Sequence, residues 1–311
     1  MRINVRVRKA TLDDIRGIVN VHCSDVEKWF KIVNEKNVEA KYEELSVAER
    51  WAHGGPWMSI ETCSILLNNI LTHNQYSLVA CYNGIIVGEL ELYIAEENSV
   101  LGKTAYIDVL VVHRKFRRKG IGKLLVEEAI KIAEESNCDT ISVWPTQESI
   151  EFYRKCGIRD IAFKLINISV HLDTIKTLNN HINILKFPKE YEMIKDLILI
   201  SPRIYSSYVA WSKISWDYVL NDKTFRIKGL IKDLGIAFAL EKMWPEKTPR
   251  LYMWSLNLNN ISQILKHVFN IARLKGIREL RVILEKELWK KQALNYPYEK
   301  LSSELVLMKK L

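Results

Sequence analysis

Cysteine is scarce and scattered in this chain of 311 residues: Cys23, Cys63, Cys81, Cys138 and Cys156. The count is odd and no two stand in a CxxC. That excludes a disulfide framework and a thiolate metal site, and predicts reduced thiols buried as small apolar groups. The seven histidines are equally dispersed, so the sequence offers no metal cluster, and no Ser-His-Asp arrangement can be defended. No apolar run approaches the ~20 residues that span a bilayer. The N-terminus, Met1-Arg-Ile-Asn-Val-Arg-Val-Arg-Lys9, has no apolar stretch of the secretory kind and alternates as a first strand does. The expectation is a soluble protein of the cytoplasm with no membrane partner and no metal. A dinucleotide site would need GxGxxG with an acid about 20 positions later, and a nucleotide P-loop would need GxxxxGK[ST]. Neither string is present.

Hydrophobic residues make up 48% and charged residues 27%, as in a globular protein, and the length suffices for two ordinary domains. The net charge of +9 is unevenly placed. Residues 1–160 hold 21 basic against 23 acidic side chains, a net −2, while residues 161–311 hold 25 against 14, a net +11. The second half therefore presents either a solvated lysine-rich surface or a docking face for an acidic partner.

The densest information lies between residues 106 and 135. Tyr106-Ile-Asp-Val-Leu-Val-Val112 is β-branched and apolar enough for a buried strand. Ile121, Leu124, Leu125, Ala129, Ile132 and Ala133 then recur at helical spacing, with Glu127 and Lys131 placed to pair at i, i+4. Between strand and helix stands Arg117-Arg-Lys-Gly-Ile-Gly122, so that Gly120 and Gly122 sit at the helix entrance. Unpaired backbone N–H groups and the positive end of the helix dipole attract an anion there. Glycine lets a phosphate approach the backbone closely, and Arg117, Arg118 and Lys119 add charge. Downstream, Thr140-Ile-Ser-Val-Trp144 reads as a second strand. A short helix through Ser149-Ile-Glu-Phe-Tyr153 and a stop at Cys156-Gly157-Ile158 follow it.

This strand–RxxGxG–helix unit and the segment after it resemble the two coenzyme-binding motifs of the GCN5-related N-acetyltransferase (GNAT) family. The resemblance covers roughly residues 3–165. In the family's N-x-x-A-x-x-[apolar]-Y-x-x-x-G-[apolar] segment, Phe152, Tyr153, Gly157 and Ile158 match. Thr146 stands in the Asn position and Ser149 in the Ala position. The resemblance implies a mixed α/β fold: a central, mostly antiparallel sheet flanked by helices and splayed at the cofactor site. It implies acetyl-coenzyme A as acyl donor, with Arg117 to Lys123 (Arg117, Arg118, Lys119, Gly120, Ile121, Gly122, Lys123) on the pyrophosphate. Backbone groups of Leu110, Val111 and Val112 hold the pantetheine arm and the thioester oxygen, Leu110 as donor, and Thr146 lies near the cofactor. Tyr153 matches the phenol that protonates the departing thiolate, a group neutral at pH 7 and able to donate. The general base is left open between Asp108 and Glu89, the latter sharing a strand face with Glu91. His22 and His113 are set aside as catalysts.

The remainder of the first half agrees in order. Thr11-Leu-Asp-Asp14 reads as a helix start, with the helix expected to run to about Trp29. Glu49-Arg-Trp-Ala-His-Gly-Gly-Pro-Trp57 is a break between two tryptophans ahead of a helix from Ile60 to Leu71. Trp51, His53 and Trp57 are candidates for acceptor recognition, with Glu91 beside them. Tyr76 to Ile94 reads as a hairpin about Asn83-Gly84, and alternation returns from Lys164 to Leu172 to close a domain at 1–170.

Residues 171–311 form the second domain, in which 171–200 serve as connection. A hairpin over 224–240, a strand over 250–258, a helix over 261–274, a strand over 279–284 and a short helix over 285–293 repeat part of the plan. This is either a degenerate GNAT-like copy or the generic order of an α/β protein. No Arg-rich glycine loop precedes the helix, since Asn257-Leu-Asn-Asn260 leads directly into it. The reading is an N-acetyltransferase whose acceptor is an amine-bearing small molecule or a protein amine. The rival is an acyl-coenzyme A-sensing module that recruits an acidic partner through the basic half.

Overall fold

The computed structural model describes all residues except 1–3, 35, 174, 176–182, 216–224, 243–247, 260 and 292–295. Parts of the sequence expectations for the first strand, the connection, the second hairpin and the last short helix lie outside the described residues. The chain forms two compact units, residues 1–94 with 107–137, and residues 95–106 with 138–311. The boundary expected at 170 falls instead near the end of a strand in the second unit.

In the first unit, β1 (Arg6–Lys9) is followed by a 3-10 turn, Leu12–Asp14, and by α1 (Ile15–Cys23). A two-stranded ribbon of β2 (Trp29–Val33) and β3 (Lys36–Ala40) comes next, then α2 (Val47–Ala52) and α3 (Ile60–Thr72). The first helix therefore stops six residues earlier than expected. Trp29-Phe-Lys-Ile-Val33 is aromatic and β-branched and pairs as a strand from Trp29↔Ala40 to Val33↔Lys36. Ser46 starts α2 with a capping box, its amide donating to Glu49 Oε2 at 2.8 Å. β4 (Tyr76–Tyr82) and β5 (Ile85–Glu97) form the expected hairpin, and Asn83 and Gly84 take φ of 50° and 78°, both in the left-handed region. β1 pairs with β4 and β4 with β5, all antiparallel. β6 (Gly102–Val112) continues the order beside β5, where the His113 amide donates to the Val87 carbonyl at 2.9 Å. α4 (Ile121–Glu135) follows the basic loop. Its exposed ion pairs are Lys123–Glu127 and Lys131–Glu135, not the Glu127–Lys131 pair expected from spacing. One core of this unit gathers Ile18 and Val21 of α1, Cys63 and Leu67 of α3, and Val79 of β4.

The entry to α1 is tied back to β1. Arg8 Nη1 and Nη2 donate to the two oxygens of Asp14 at 2.6 and 2.8 Å, and the Thr11 amide adds a third bond at 2.8 Å. The Arg8 hydrogen bonds come first among the causes that hold the Asp14 carboxyl below its usual range. Asp14→Asn is expected to lower stability by about 1.5–3 kcal/mol, the range for a bond to a charged group. Since the folded-state pKa is depressed, this contribution is complete above the ordinary carboxylate pKa and disappears as pH falls through the folded value. Denaturant melts at pH 7 and pH 3 check it: the difference between the native protein and Asp14→Asn should shrink at the lower pH.

The second unit carries β7 (Thr140–Val143), α5 (Ile150–Lys155), β8 (Asp160–His171), β9 (Ile198–Ser201), α6 (Ser207–Ser215), β10 (Phe225–Ile231), β11 (Ile236–Glu241), β12 (Arg250–Ser255), α7 (Ile261–Leu274), β13 (Glu279–Glu285), α8 (Lys286–Lys291) and β14 (Tyr298–Lys310). Strand order runs β7-β14-β8-β13-β12-β11-β10. The C-terminal strand β14 thus lies between two strands of the first half of the sequence, antiparallel to both. β8 in turn pairs along β13 from Glu279↔His171 to Glu285↔Leu165.

β12 and β13 are parallel, and the Cα register joins them only at Arg250↔Arg281. Beyond that point β9 enters, pairing Ser201↔Met253, Leu199↔Trp254 and Ile198↔Ser255. Ser201 Oγ donates to the Leu251 carbonyl and accepts from the Ile283 amide, both at 3.2 Å, stitching the diverging strands together. The stretch expected to serve only as connection therefore supplies a sheet strand. The core below is built from Phe238, Met253, Leu265, Phe269 and Leu284.

Candidate active site

The basic loop carries the geometry that its sequence calls for. Gly120 is the N-cap of α4 with φ +85°, no side-chain cap and nothing within 4 Å of where a Cβ would stand. Arg118 is also left-handed, at φ 62°. The Ile121 side chain is fully buried and anchors the first turn, so the backbone at the helix entrance faces out between exposed Arg118, Lys119 and Lys123. The leading amides of a helix have no partner within it, and the dipole adds positive potential there. This is a cradle that a Cβ at Gly120 would fill.

The cations divide the work. Arg117 Nε donates to the Val112 carbonyl at 3.0 Å, and its guanidinium pairs with Asp25, just beyond α1. Arg114 donates to Glu27 at 3.0 Å. These two fasten the loop, whereas Arg118 and Lys119 have no acidic partner among the described residues; Lys119 Nζ lies 5.3 Å from the Phe116 ring centroid. His113 likewise serves the loop, its Nδ1 accepting from the Lys115 amide at 3.2 Å. Before the loop, Asp108, Val109, Leu110, Val111 and Val112 are all half-buried, while Ala105, Tyr106 and Ile107 are covered.

A second constellation in the same unit joins Glu89 and Glu91, each 1% exposed. Glu89 Oε2 lies 2.6 Å from His22 Nε2, and Glu89 Oε1 accepts from Ser77 Oγ at 2.9 Å. Glu91 Oε1 accepts from Trp57 Nε1 at 2.6 Å, and Oε2 from the Tyr93 hydroxyl at 3.1 Å. The His22 and Trp57 rings stack, 5.2 Å apart and 8° from parallel, which closes the network. Burial first, then the charges of Glu91 and Asp108, push the Tyr93 phenol far above its ordinary pKa. Each carboxylate has both oxygens engaged, so a proton from an acceptor would reach Glu89 only through His22 or Ser77.

The structure thus brings Trp57, Glu91 and Glu89 together as acceptor-side candidates and adds His22, which sequence reasoning sets aside. The signal for His22 is its place on the buried face of α1 with Ile18, Val19 and Val21. A histidine there needs a polar partner. Trp51 is half-buried in α2, and its carbonyl accepts from the Gly55 amide at 2.6 Å. His53 is spent on the ribbon, its Nε2 lying 2.9 Å from the Phe30 carbonyl.

Thr146 and Tyr153 belong to the second unit. Thr146 Oγ1 lies 3.0 Å from Ser149 Oγ at the entrance to the short helix. Tyr153 is buried in α5, edge-on to Phe152 with ring centroids 5.0 Å apart. Burial, aided by Cys156, raises its phenol pKa well above the ordinary value, so the group is protonated throughout the neutral range. Among the described residues no cluster of three or more His, Cys, Asp or Glu could hold a metal, and no helix is long and apolar enough to cross a membrane.

Residues 33–158 match the model of the acetyltransferase (GNAT) family. The chain is 27% identical over 85 residues to glucosamine 6-phosphate N-acetyltransferase of Candida albicans, which is 27% of this chain and 57% of that protein. It is 28% identical over 88 residues to the Schizosaccharomyces pombe protein of the same name, 28% of this chain and 78% of that one. The aligned part is thus little more than half of the Candida relative. Among solved structures, a GCN5-related N-acetyltransferase from Anabaena variabilis superposes over 98% of this chain and 72% of its own, with a TM-score of 0.63 at 14% identity. At that identity the likeness is one of fold.

Proposed function

We propose, from the match of residues 33–158 to the model of the acetyltransferase (GNAT) family, that the protein is an N-acetyltransferase moving an acetyl group from acetyl-coenzyme A to an amine. The observation that carries the proposal is the helix entrance at Gly120, an uncapped anion cradle beside two cations with no acidic partner among the described residues. Arg118, Lys119 and the amides from Gly120 to Lys123 bind the pyrophosphate. Leu110 to Val112 hold the pantetheine arm and polarise the thioester carbonyl, as an oxyanion donor does. Transfer is direct: the amine nitrogen bonds the acetyl carbon, the C–S bond breaks, and the thiolate takes the Tyr153 proton. The amine's proton passes to Asp108, or to Glu89 through His22. The phenol is reprotonated from solvent.

A small-molecule amine is the acceptor this reading favours, and amino sugar phosphates, named for the two fungal relatives, are the first to assay. Calorimetric titration with acetyl-coenzyme A, coenzyme A and NAD is expected to show one saturable site for the coenzyme A species and none for NAD. Thiol release in an amine panel then tests turnover. Tyr153→Phe should lower kcat about 10²-fold or more, the lower end for a lost general acid, with donor affinity unchanged. Binding without thiol release for every amine would sink the transfer reading and leave an acyl-coenzyme A sensor.

A further inference from the structure

The imidazole of His22 is held on two sides and open on a third. Nε2 lies 2.6 Å from Glu89 Oε2, and the other Glu89 oxygen accepts from Ser77 Oγ at 2.9 Å. Glu89 thus accepts at both oxygens, so Nε2 carries the proton of the neutral ring and the lone pair is left on Nδ1. The Trp57 ring lies flat against the imidazole, and its own N–H is tied to Glu91 at 2.6 Å. Carboxylate and indole together fix the ring in orientation and in tautomer. Nδ1 makes no hydrogen bond among the described residues, yet it is not a sealed atom. The residue is only 5% exposed, and this edge of the ring is open to water.

The open edge belongs to a pair that stands beside the strand assigned above to the acyl group. β6 returns along β5, and the His113 amide bonds the Val87 carbonyl. Two residues inward, Glu89 comes level with Val111. A Cβ on Gly88, the neighbour of Glu89, would stand 3.3 Å from the Val111 carbonyl oxygen. Val111 also packs, with Trp57, on the core that α1 shares with α3 and β4. An imidazole with one nitrogen on a buried carboxylate and the other free is the arrangement of a general base and the group that orients it.

We propose that His22 is the general base of the transfer and Glu89 its positioning residue, an inference that rests on the transferase reading. As the neutral amine nitrogen bonds the acetyl carbon, its surplus proton moves to Nδ1, and Glu89 stabilises the imidazolium. The C–S bond breaks and the thiolate takes the Tyr153 proton. Nδ1 then releases its proton to water while the phenol regains one from water, which balances the cycle.

His22→Gln can still donate to Glu89 but offers no basic nitrogen. It is expected to lower kcat about 10²-fold or more, with acetyl-coenzyme A affinity and melting temperature unchanged. Added imidazole should restore part of the turnover of His22→Ala, about tenfold or more against a base worth 10²-fold. It should restore none in His22→Gln, whose side chain fills the space. Native-like turnover by His22→Gln overturns the proposal and sends the proton to Asp108. A loss matched by weaker donor binding or earlier melting also overturns it, because His22 would then be structural. So does a His22→Ala protein that imidazole leaves unchanged. The native chain keeps the two readings apart: thiol release from no amine defeats the transfer itself, whereas release that survives in His22→Gln defeats only the base.

Discussion

Replacing Gly120 by valine is expected to abolish acetyl-coenzyme A binding, with affinity falling at least 100-fold, while the chain stays folded. Two features separate these effects. Gly120 has φ +85°, where a β-branched residue is strained by about 1–2 kcal/mol. A Cβ placed there meets nothing within 4 Å, so no steric clash with the protein adds to that strain. The melting temperature should therefore drop only by several degrees. The space the isopropyl group would enter is the space a phosphate needs to reach the amides of Ile121 and Gly122. Neutralising Lys119, an exposed cation screened by salt, should cost only about 0.2–1 kcal/mol of binding, the range for an exposed ion pair. Calorimetry on both variants orders these contributions. Unchanged affinity in Gly120→Val would remove the phosphate from this loop, and with it the basis for the transferase reading.

The loop is legible in the sequence because its signals are local. The period changes from strand to helix within a few residues, and glycine marks where the backbone must turn. The same holds for the Asn83-Gly84 hairpin and for α3. Partners remote in sequence are not legible. The family resemblance puts Arg117 on phosphate, but its guanidinium holds Asp25, 92 positions away. His22 meets Glu89 across 67 positions, a contact that neither helix periodicity nor strand alternation encodes. β9 is hidden because Ile198-Leu-Ile-Ser201 is too short to stand out from a connecting stretch, and its identity as a strand depends on the diverging edges of β12 and β13. Which strand pairs with which is likewise a property of the assembled sheet. Nothing in Tyr298–Lys310 names β7 and β8 as its neighbours.

That last pairing has the largest consequence for stability. Removing residues 298–311 is expected to unfold the second unit, not merely trim it. β14 is bonded along both edges, to β7 from Thr140↔Lys310 to Val143↔Leu307 and to β8 from Asp160↔Met308 to Val170↔Tyr298. Its loss would leave two interior strands with unpaired amides and carbonyls, each buried group costing about 1–3 kcal/mol. It would also remove the buried side chains of Val306 and Leu307, which are 2% and 0% exposed, at about 1.5–3 kcal/mol apiece. Against a total stability of about 5–15 kcal/mol for a typical domain, that sum cannot be absorbed. The truncated chain should be insoluble or lack a cooperative melt. Leu307→Ala, which keeps both ladders, should fold with a loss of about 2–5 kcal/mol. A truncated protein that melts like the full chain would mean that β14 is a dispensable edge and does not lie between β7 and β8. If the truncation unfolds the unit, acetyl transfer should also be lost. β7 leads directly into Thr146 and the helix bearing Tyr153, so the proposed general acid depends on a strand that begins some 145 positions after it.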